Sequence, residues 1–453
     1  MSKVKIFLSF FCLFFLVHGL HAQKREPEDT VELMNQIRRD KFDIYLPQVM
    51  RENKIDMWIH VTRPWATDPL SYEFGGDSAV FIFTDRGGDR IERAVFKFGR
   101  EVVDPGAYDI IGEEAEDLDQ QNYYVSKDPD KSPETELDLR FMGLREFVAE
   151  RDPKRIGVNY SEKLSLAEGS EVRALTDGIS HTDYVQLAKA LGDKYAKRIV
   201  SAEYLILDYL SRRVKKEIKL HSLMGVKATE YLHRNFDKIV PGVTTLEQLA
   251  QNVFVRDRDG NEHNNDDYVI QRGDLIGILY GAGDMRRIMD ADVGGTAYVL
   301  REGETDLPPE VKKIWGESMK VREILKKNIK AGPTAGETLG LLIRKLEEAG
   351  FVYIDRDQYD RNADPEKTQV HLDLHAMGKG VLAPRISPMG PRWHWDMKIP
   401  LYHTFTFEYM VHMPVPEWGR GKHLYVCMHD GVMVTERGVE FPYPPAQGVH
   451  IIR

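Results

Sequence analysis

Glu408 is the only acid in the run Thr404-Phe405-Thr406-Phe407-Glu408-Tyr409-Met410. A carboxylate in such an apolar, aromatic strand is costly to bury alone, so it requires a cation or a hydrogen-bond network. A second chemically equipped stretch is His371-Leu372-Asp373-Leu374-His375-Ala376-Met377-Gly378. Two imidazoles four residues apart can ligate a metal, share a helix face or form a hydrogen-bonded core pair. Asp290 and Asp292 lie on one side of a strand, about 7 Å apart, because side-chain direction has a period of two. Asp290 reads as an auxiliary to Asp292 or, like Asp284, as an ordinary hairpin acid. Imidazoles and carboxylates together suit a divalent cation that activates water, or acid–base chemistry without one.

Other chemistries find no support in the motifs. Ser387 and Cys427 have no Gly-x-Ser-x-Gly elbow around them and read as structural. Gly281-Ala282-Gly283 is not followed by Lys-Ser/Thr, so it is no phosphate loop.

The elements that must position these residues fall into two halves. Apolar spacing predicts a helix over residues 33–53 and strands over 55–61, 78–84 and 155–159, with helices at 139–151 and 183–191 between them. That alternation predicts an α/β amino-terminal domain of about 170 residues. Long amphipathic helices follow from residue 202 to 236, their apolar stripes facing the core. A further helix start is expected at Thr244-Thr245-Leu246-Glu247. Two β-rich stretches, 268–300 and 400–435, then flank helices at 309–330 and 335–349, the second stopped by Gly350. The Pro442-Tyr443-Pro444-Pro445 segment is expected to pack over the surface. Trp393, His394, Trp395 and Trp418 are candidates for a cleft wall near Glu408 or for aromatic packing.

Residues 1–22 read as a secretory signal peptide: Lys3 and Lys5, an apolar run from Ile6 to Val17, then a small-residue approach to Gln23. The expected location is secreted or periplasmic. The run is short for a bilayer span and no long uncharged apolar stretch follows. Cys12 lies within the run, so a lipidated cysteine is not expected, and Cys427 alone cannot form an internal disulfide. The net charge of −10, with no compensating basic block, argues against nucleic acid and against a membrane partner after signal removal. A hydrophobic share of 42% beside 30% charged residues is that of a folded globular chain.

The segment from Tyr268 to Ile278, with its Gly273-Asp274-Leu275 turn into a strand, resembles the carboxy-terminal domain of the creatinase, aminopeptidase P and methionine aminopeptidase superfamily. Pro241-Gly242, Ala297-Tyr298-Val299-Leu300-Arg301 and Pro414-Val415-Pro416-Glu417-Trp418-Gly419 match in the same way. The last two resemble bacterial Xaa-Pro aminopeptidase-like proteins. The resemblance implies an α/β (α+β) chain: a creatinase-like amino-terminal domain over 23–195 and a pita-bread catalytic domain over 196–453.

Active members of that superfamily hold two metals with Asp, Asp, His, Glu and Glu. The first Asp falls at Leu279, which cannot bind metal; Asp284 is a substitute only if a sharp turn returns it. The second falls at Asp292, with Asp290 as an auxiliary. The His falls at His375 with His371 as its neighbour, the first Glu at Glu408, and the last Glu at His429. A further family histidine is replaced by Leu382. His263, in a polar turn, resembles the histidine that steadies developing charge on the substrate, and an exposed idle imidazole fits that context equally. The implied catalytic residues are thus His263, His371 and His375, and the metal set is Asp292, His375, Glu408 and His429. That set suits one divalent metal, zinc, manganese or iron. A metal-free site, as in creatinase, is also open. Three activities follow: a metallo-exopeptidase acting on short peptides or Xaa-Pro bonds, a metal-independent hydrolase of a small C–N compound, or a non-catalytic relative that keeps the cleft. Superfamily members often dimerise, which leaves a homodimer open.

Overall fold

The computed structural model describes residues 28–63, 68–76, 78–96, 104–112, 139–164, 176–249, 252–283, 289–378 and 383–453. Residues 1–22, expected to be a signal peptide, and Asp284 and Leu382 lie outside them. Among the described residues no helix is long and apolar enough to cross a membrane.

The first sheet takes six strands: β1 (Met57–Val61), β2 (Val80–Thr84), β3 (Glu92–Phe96), β4 (Ile110–Ile111), β5 (Ile156–Val158) and β6 (Ile199–Ser201), in the order β4-β3-β2-β1-β5-β6. All residues of β1 and β2 are buried, which is why those strands read as continuous apolar runs rather than alternating ones. The predicted helix at 33–53 is in fact two, α1 (Glu28–Ile44) and α2 (Leu46–Glu52), the second opening with Pro47 in its first turn. Helices α3 (Pro69–Phe74), α4 (Leu144–Arg151) and α5 (His181–Ala196) complete this part.

The helical stretch predicted at 202–236 also divides, into α6 (Glu203–Ser211) and α7 (Lys215–Phe236). Between them Arg212 and Val214 adopt extended backbone, which carries the fully buried Arg213 out of either helix. The helix expected at Thr244 is only a 3₁₀ turn, Leu246–Gln248, capped by Thr245.

Two further sheets follow. One contains β7 (Val253–Arg256), β8 (Glu262–His263), β9 (Leu275–Gly283), β10 (Asp290–Val299) and β17 (His450–Ile452), in the order β17-β10-β9-β7-β8. The other contains β11 (Val352–Tyr353), β12 (Gln369–Leu372), β14 (Thr404–Pro414), β15 (His423–Thr435) and β16 (Gly438–Glu440), with β13 (His375–Ala376) paired separately to β14. Helices α8 (Pro309–Asn328) and α9 (Ala335–Glu348) lie between these strands in sequence, and Gly350 at φ +93° follows the second, as its C-cap position requires.

Alternation decides which residues meet. The odd-numbered side of β10, Ala291, Val293 and Ala297, packs on Leu232 and Phe236 of α7. The odd-numbered side of β14, including Phe407, Tyr409 and Val411, packs with Val321 and Leu325 of α8. The even-numbered sides, with Asp292 on β10 and Glu408 on β14, are left to face each other.

The Pro442–Pro445 segment lies over the surface as expected, with Pro444 exposed, but it is anchored inward by one ring. Tyr443 is buried, its ring fills the space beside Gly225, and its hydroxyl donates to the Asp292 carbonyl at 3.3 Å. The prolines keep the segment out of a sheet, but its aromatic ring supplies the packing between α7 and β15.

Two buried histidines are held neutral. Burial pushes His221 down to about 4 and His403 to about 3, partly offset by the hydrogen bonds their Nδ1 atoms donate to the Asp290 and Ser211 carbonyls, while Arg213 pushes both lower. The unfolded chain takes up these protons near pH 6.5, whereas the folded protein does not until the lower values. Their stabilisation is therefore complete above pH 6.5 and is lost as pH falls toward 4. For His221 alone the loss amounts to roughly 3 kcal/mol. Denaturant unfolding from pH 7.5 to 4.5 should show this decline, and a His221→Gln protein should show a shallower one.

Candidate functional site

Glu408 is placed by register. It pairs directly with His429 across β14 and β15, so both project from the same face, and His375 on β13 pairs with Thr406, one step along that face. Asp292 reaches the same point from β10. The His375 Nε2 atom stands 3.1 Å from Glu408 Oε2, and His429 Nε2 stands 3.4 Å from Glu408 Oε1 and 3.9 Å from Asp292 Oδ2. Donor atoms of Asp292, His375 and His429 all lie within 4.8 Å of one another. Side-chain exposure falls from 22% at Asp292 and 16% at Glu408 to 3% at His429. The site therefore opens to solvent on the carboxylate side, with His429 at its floor.

The charges compensate one another. Burial works against an ionised Glu408, yet His429 and His375 outweigh it and hold the carboxyl well below its usual range. Burial likewise opposes the charged imidazoles, but Glu408 holds His375 above its ordinary value and His429 far above. Without a cation the two imidazoles and the Glu408 carboxylate hold one another by charge-assisted contacts. Tetrahedral nitrogen and oxygen ligands at 2.0–2.2 Å from a cation would be about 3.3–3.6 Å apart. The observed separations of 3.1, 3.4 and 3.9 Å bracket that range, so the donor types and spacing fit a cation between them.

Leu279 stands on β9 opposite Gly294 of β10. A Cβ on Gly294 would lie 3.0 Å from His429 Cβ and 3.2 Å from Leu279 Cδ2. Leu279 and His429 thus crowd the two sides of one glycine. Leucine supplies apolar bulk where a carboxylate would have supplied a donor.

The remaining expected site residues stand apart. Asp290 is two residues from Asp292 but turns inward. Burial raises its carboxyl, which accepts a hydrogen bond from the Gly378 amide. Arg213 Nη2 donates to the Met377 carbonyl at 3.0 Å, so Asp290 and Arg213 together hold the Met377-Gly378 turn that follows His375. His371 is fully buried on β12 beside Met410, with Nδ1 donating to the Ile354 carbonyl at 3.0 Å. It lies in neither group of converging donors among the described residues. His371 and His375 therefore share no helix face; they occupy separate short strands along β14. His263 is hydrogen-bonded through Nε2 to Asp257 at 2.9 Å and stacked on Tyr268 at 4.0 Å. It too lies outside the converging donors.

Trp393 packs in the core with Phe74 and Tyr209, and Trp395 donates Nε1–H to the Ser387 carbonyl at 2.7 Å. Trp418 lies against Gly260. Sequence reasoning missed Tyr443 and Arg213 as supports of the site. Arg213 stands in the charged run Arg212-Arg213-Val214-Lys215-Lys216, where nothing local distinguishes it from its neighbours.

A pair of facing sheets with helices on their outer sides and this carboxylate–imidazole cluster between them is the pita-bread fold of creatinase and aminopeptidase P structures. Among solved structures, the chain is similar to an X-Pro aminopeptidase from Thermotoga maritima MSB8, with a TM-score of 0.53, 15% identity, and 89% of this chain and 100% of that chain covered. It is similar also to an Xaa-Pro dipeptidase from Bacillus anthracis, with a TM-score of 0.52, 16% identity, and coverage of 93% and 100%. A dipeptidase from Pyrococcus horikoshii OT3 gives a TM-score of 0.52 at 16% identity, covering 92% and 100%. No protein-family sequence model matches the chain, and no curated protein matches it in sequence.

The crowding at Gly294 yields a test of the site's packing. Gly294→Ala should push His429 or Leu279 aside at a cost of roughly 1–3 kcal/mol. Urea unfolding checks the cost, and the imidazole resonances of His429 check the displacement.

Proposed function

We propose that the chain is an exported metal-dependent hydrolase, an exopeptidase that cleaves short peptides or Xaa-Pro bonds with water. The convergence of donor atoms of Asp292, His375 and His429 within 4.8 Å of one another, with Glu408 at 3.1 and 3.4 Å from the two imidazoles, carries this reading. The peptidases of the same fold, cited above by their names, support the choice of substrate class. The signal-peptide pattern of the first 22 residues supports export.

A cation held by these four residues would polarise the scissile carbonyl and acidify a bound water. Two nitrogen and two oxygen donors suit zinc, manganese or iron. Asp292 and Glu408 offset the cation's charge and form the more exposed side, where a peptide can arrive. His375 and His429 are neutral donors in that state, each having surrendered the Nε2 proton that otherwise faces Glu408. The turn held by Arg213 and Asp290 fixes His375 against β14.

A second reading rests on the 3.1 Å pair between His375 Nε2 and Glu408 Oε2, which is already an acid–base couple without a cation. In that reading a proton moves between these two atoms and the substrate is a small C–N compound.

Elemental analysis of the purified protein should find a divalent metal close to one equivalent per chain, and chelation should abolish hydrolysis of Xaa-Pro peptides. His375→Ala should lower both metal affinity and kcat/KM by more than the roughly 10- to 100-fold that loss of an outer partner costs. Hydrolysis of amidino or ureido compounds that survives chelation would replace this reading with the second one.

A further inference from the structure

Cys427 lies two residues before His429 on β15, on the same face, and its side chain is buried. Its Sγ stands 3.6 Å from His429 Nδ1. Donor atoms of Glu408, Cys427 and His429 all lie within 4.8 Å of one another, a second triplet beside that of Asp292, His375 and His429. His429 belongs to both, and its ring has a nitrogen at each edge.

The sulfur–nitrogen separation is informative. A zinc-type cation takes thiolate sulfur at about 2.3 Å and imidazole nitrogen at about 2.0–2.1 Å, which places the two atoms about 3.5 Å apart in a tetrahedral site. Glu408, on the neighbouring strand and diagonal to Cys427, supplies a carboxylate of opposite charge to the cation. The triplet therefore contains sulfur, nitrogen and oxygen donors, all provided by two hydrogen-bonded strands. A thiolate selects softer cations such as zinc, cobalt or cadmium over magnesium and calcium.

We propose that Cys427 is a metal donor, forming with Glu408 and His429 a sulfur-bearing position for a thiophilic divalent cation beside the Asp292–His375–His429 position. The proposal rests on the metal reading above and adds to it a donor of a different class. On binding, the Cys427 S–H bond breaks and a sulfur–metal bond forms, His429 gives up the proton on the nitrogen that ligates, and both protons leave to solvent; no electron is transferred.

Cobalt(II) added to the purified, chelator-treated protein separates this proposal from the reading beneath it. Visible d–d bands report occupancy by any donor set, and an intense near-ultraviolet sulfur-to-cobalt charge-transfer band reports Cys427. Both should appear in the native protein. Cys427→Ser should keep the visible bands, lose the near-ultraviolet band and bind cobalt at least tenfold more weakly, with Cys427→Val as the control for packing. Visible bands without charge transfer in the native protein would reduce Cys427 to a hydrogen-bond partner of His429 and overturn the proposal alone. Absence of both bands would overturn the metal reading together with it. The native spectrum decides the matter even where a variant fails to fold.

Discussion

The burial of one carboxylate organises the carboxy-terminal half of this protein. Glu408 sits in an eleven-residue strand whose other side is packed with aromatic and aliphatic groups, and only 16% of its side chain is exposed. Left unpaired there, it would be strongly destabilising or would be forced neutral. Two imidazoles prevent that, one directly across the β14–β15 ladder and one from the short β13 strand. A slip of one residue in either pairing would send Glu408 into the α8 face and Phe407 or Tyr409 into the cleft. The hydrophobic face of the sheet thus enforces the register on which the polar face depends.

The supports of the cluster come from far along the chain. Tyr443 braces the Asp292 backbone from the carboxy-terminal segment, and a Cβ on Gly431 would overlap its hydroxyl. Asp430, the neighbour of His429, points to the opposite side, where Arg322 of α8 stands 3.3 Å from it and the Ala446 amide donates to it at 2.9 Å. Arg213 reaches the turn after His375 from the link between α6 and α7. Beneath that link Lys41 of α1 lies within 3.8 Å of both Glu73 and Glu217, fully buried, with its ammonium over the Tyr209 ring. This ionic contact joins the amino-terminal helices to α7, and through α7 to the strand that carries Asp292.

Leu279 and His429 lie far apart in sequence but touch the same glycine, so the apolar side chain and the imidazole occupy one continuous patch of the cleft floor. Leu279 brings no charge to that patch, and His429 brings an imidazole whose ring is held against Glu408.

Much of the architecture was legible in the residues themselves. The apolar runs of β1 and β2, the amphipathic stripes of α7 to α9 and the glycine stop at Gly350 are local patterns, and they set the fold class. Glu408 stood out because a lone acid in an aromatic strand violates that local pattern and must be compensated. Spacing could not say what compensates it. His371 and His375 were equivalent by type and differ only because β12 and β13 meet β14 at different places, one against Met410 and the other against Thr406. Asp290 and Asp292 share a strand face, yet one turns inward to the Gly378 amide while the other reaches the cluster. Cys427, structural by its apolar surroundings, gained a chemical setting only from the cross-strand register. The sequence by itself determined which elements form and which residue types need partners, because periodicity and burial cost act over a few residues. Tertiary structure alone decided which partners they find, because those distances depend on strand register and on contacts between segments more than a hundred residues apart.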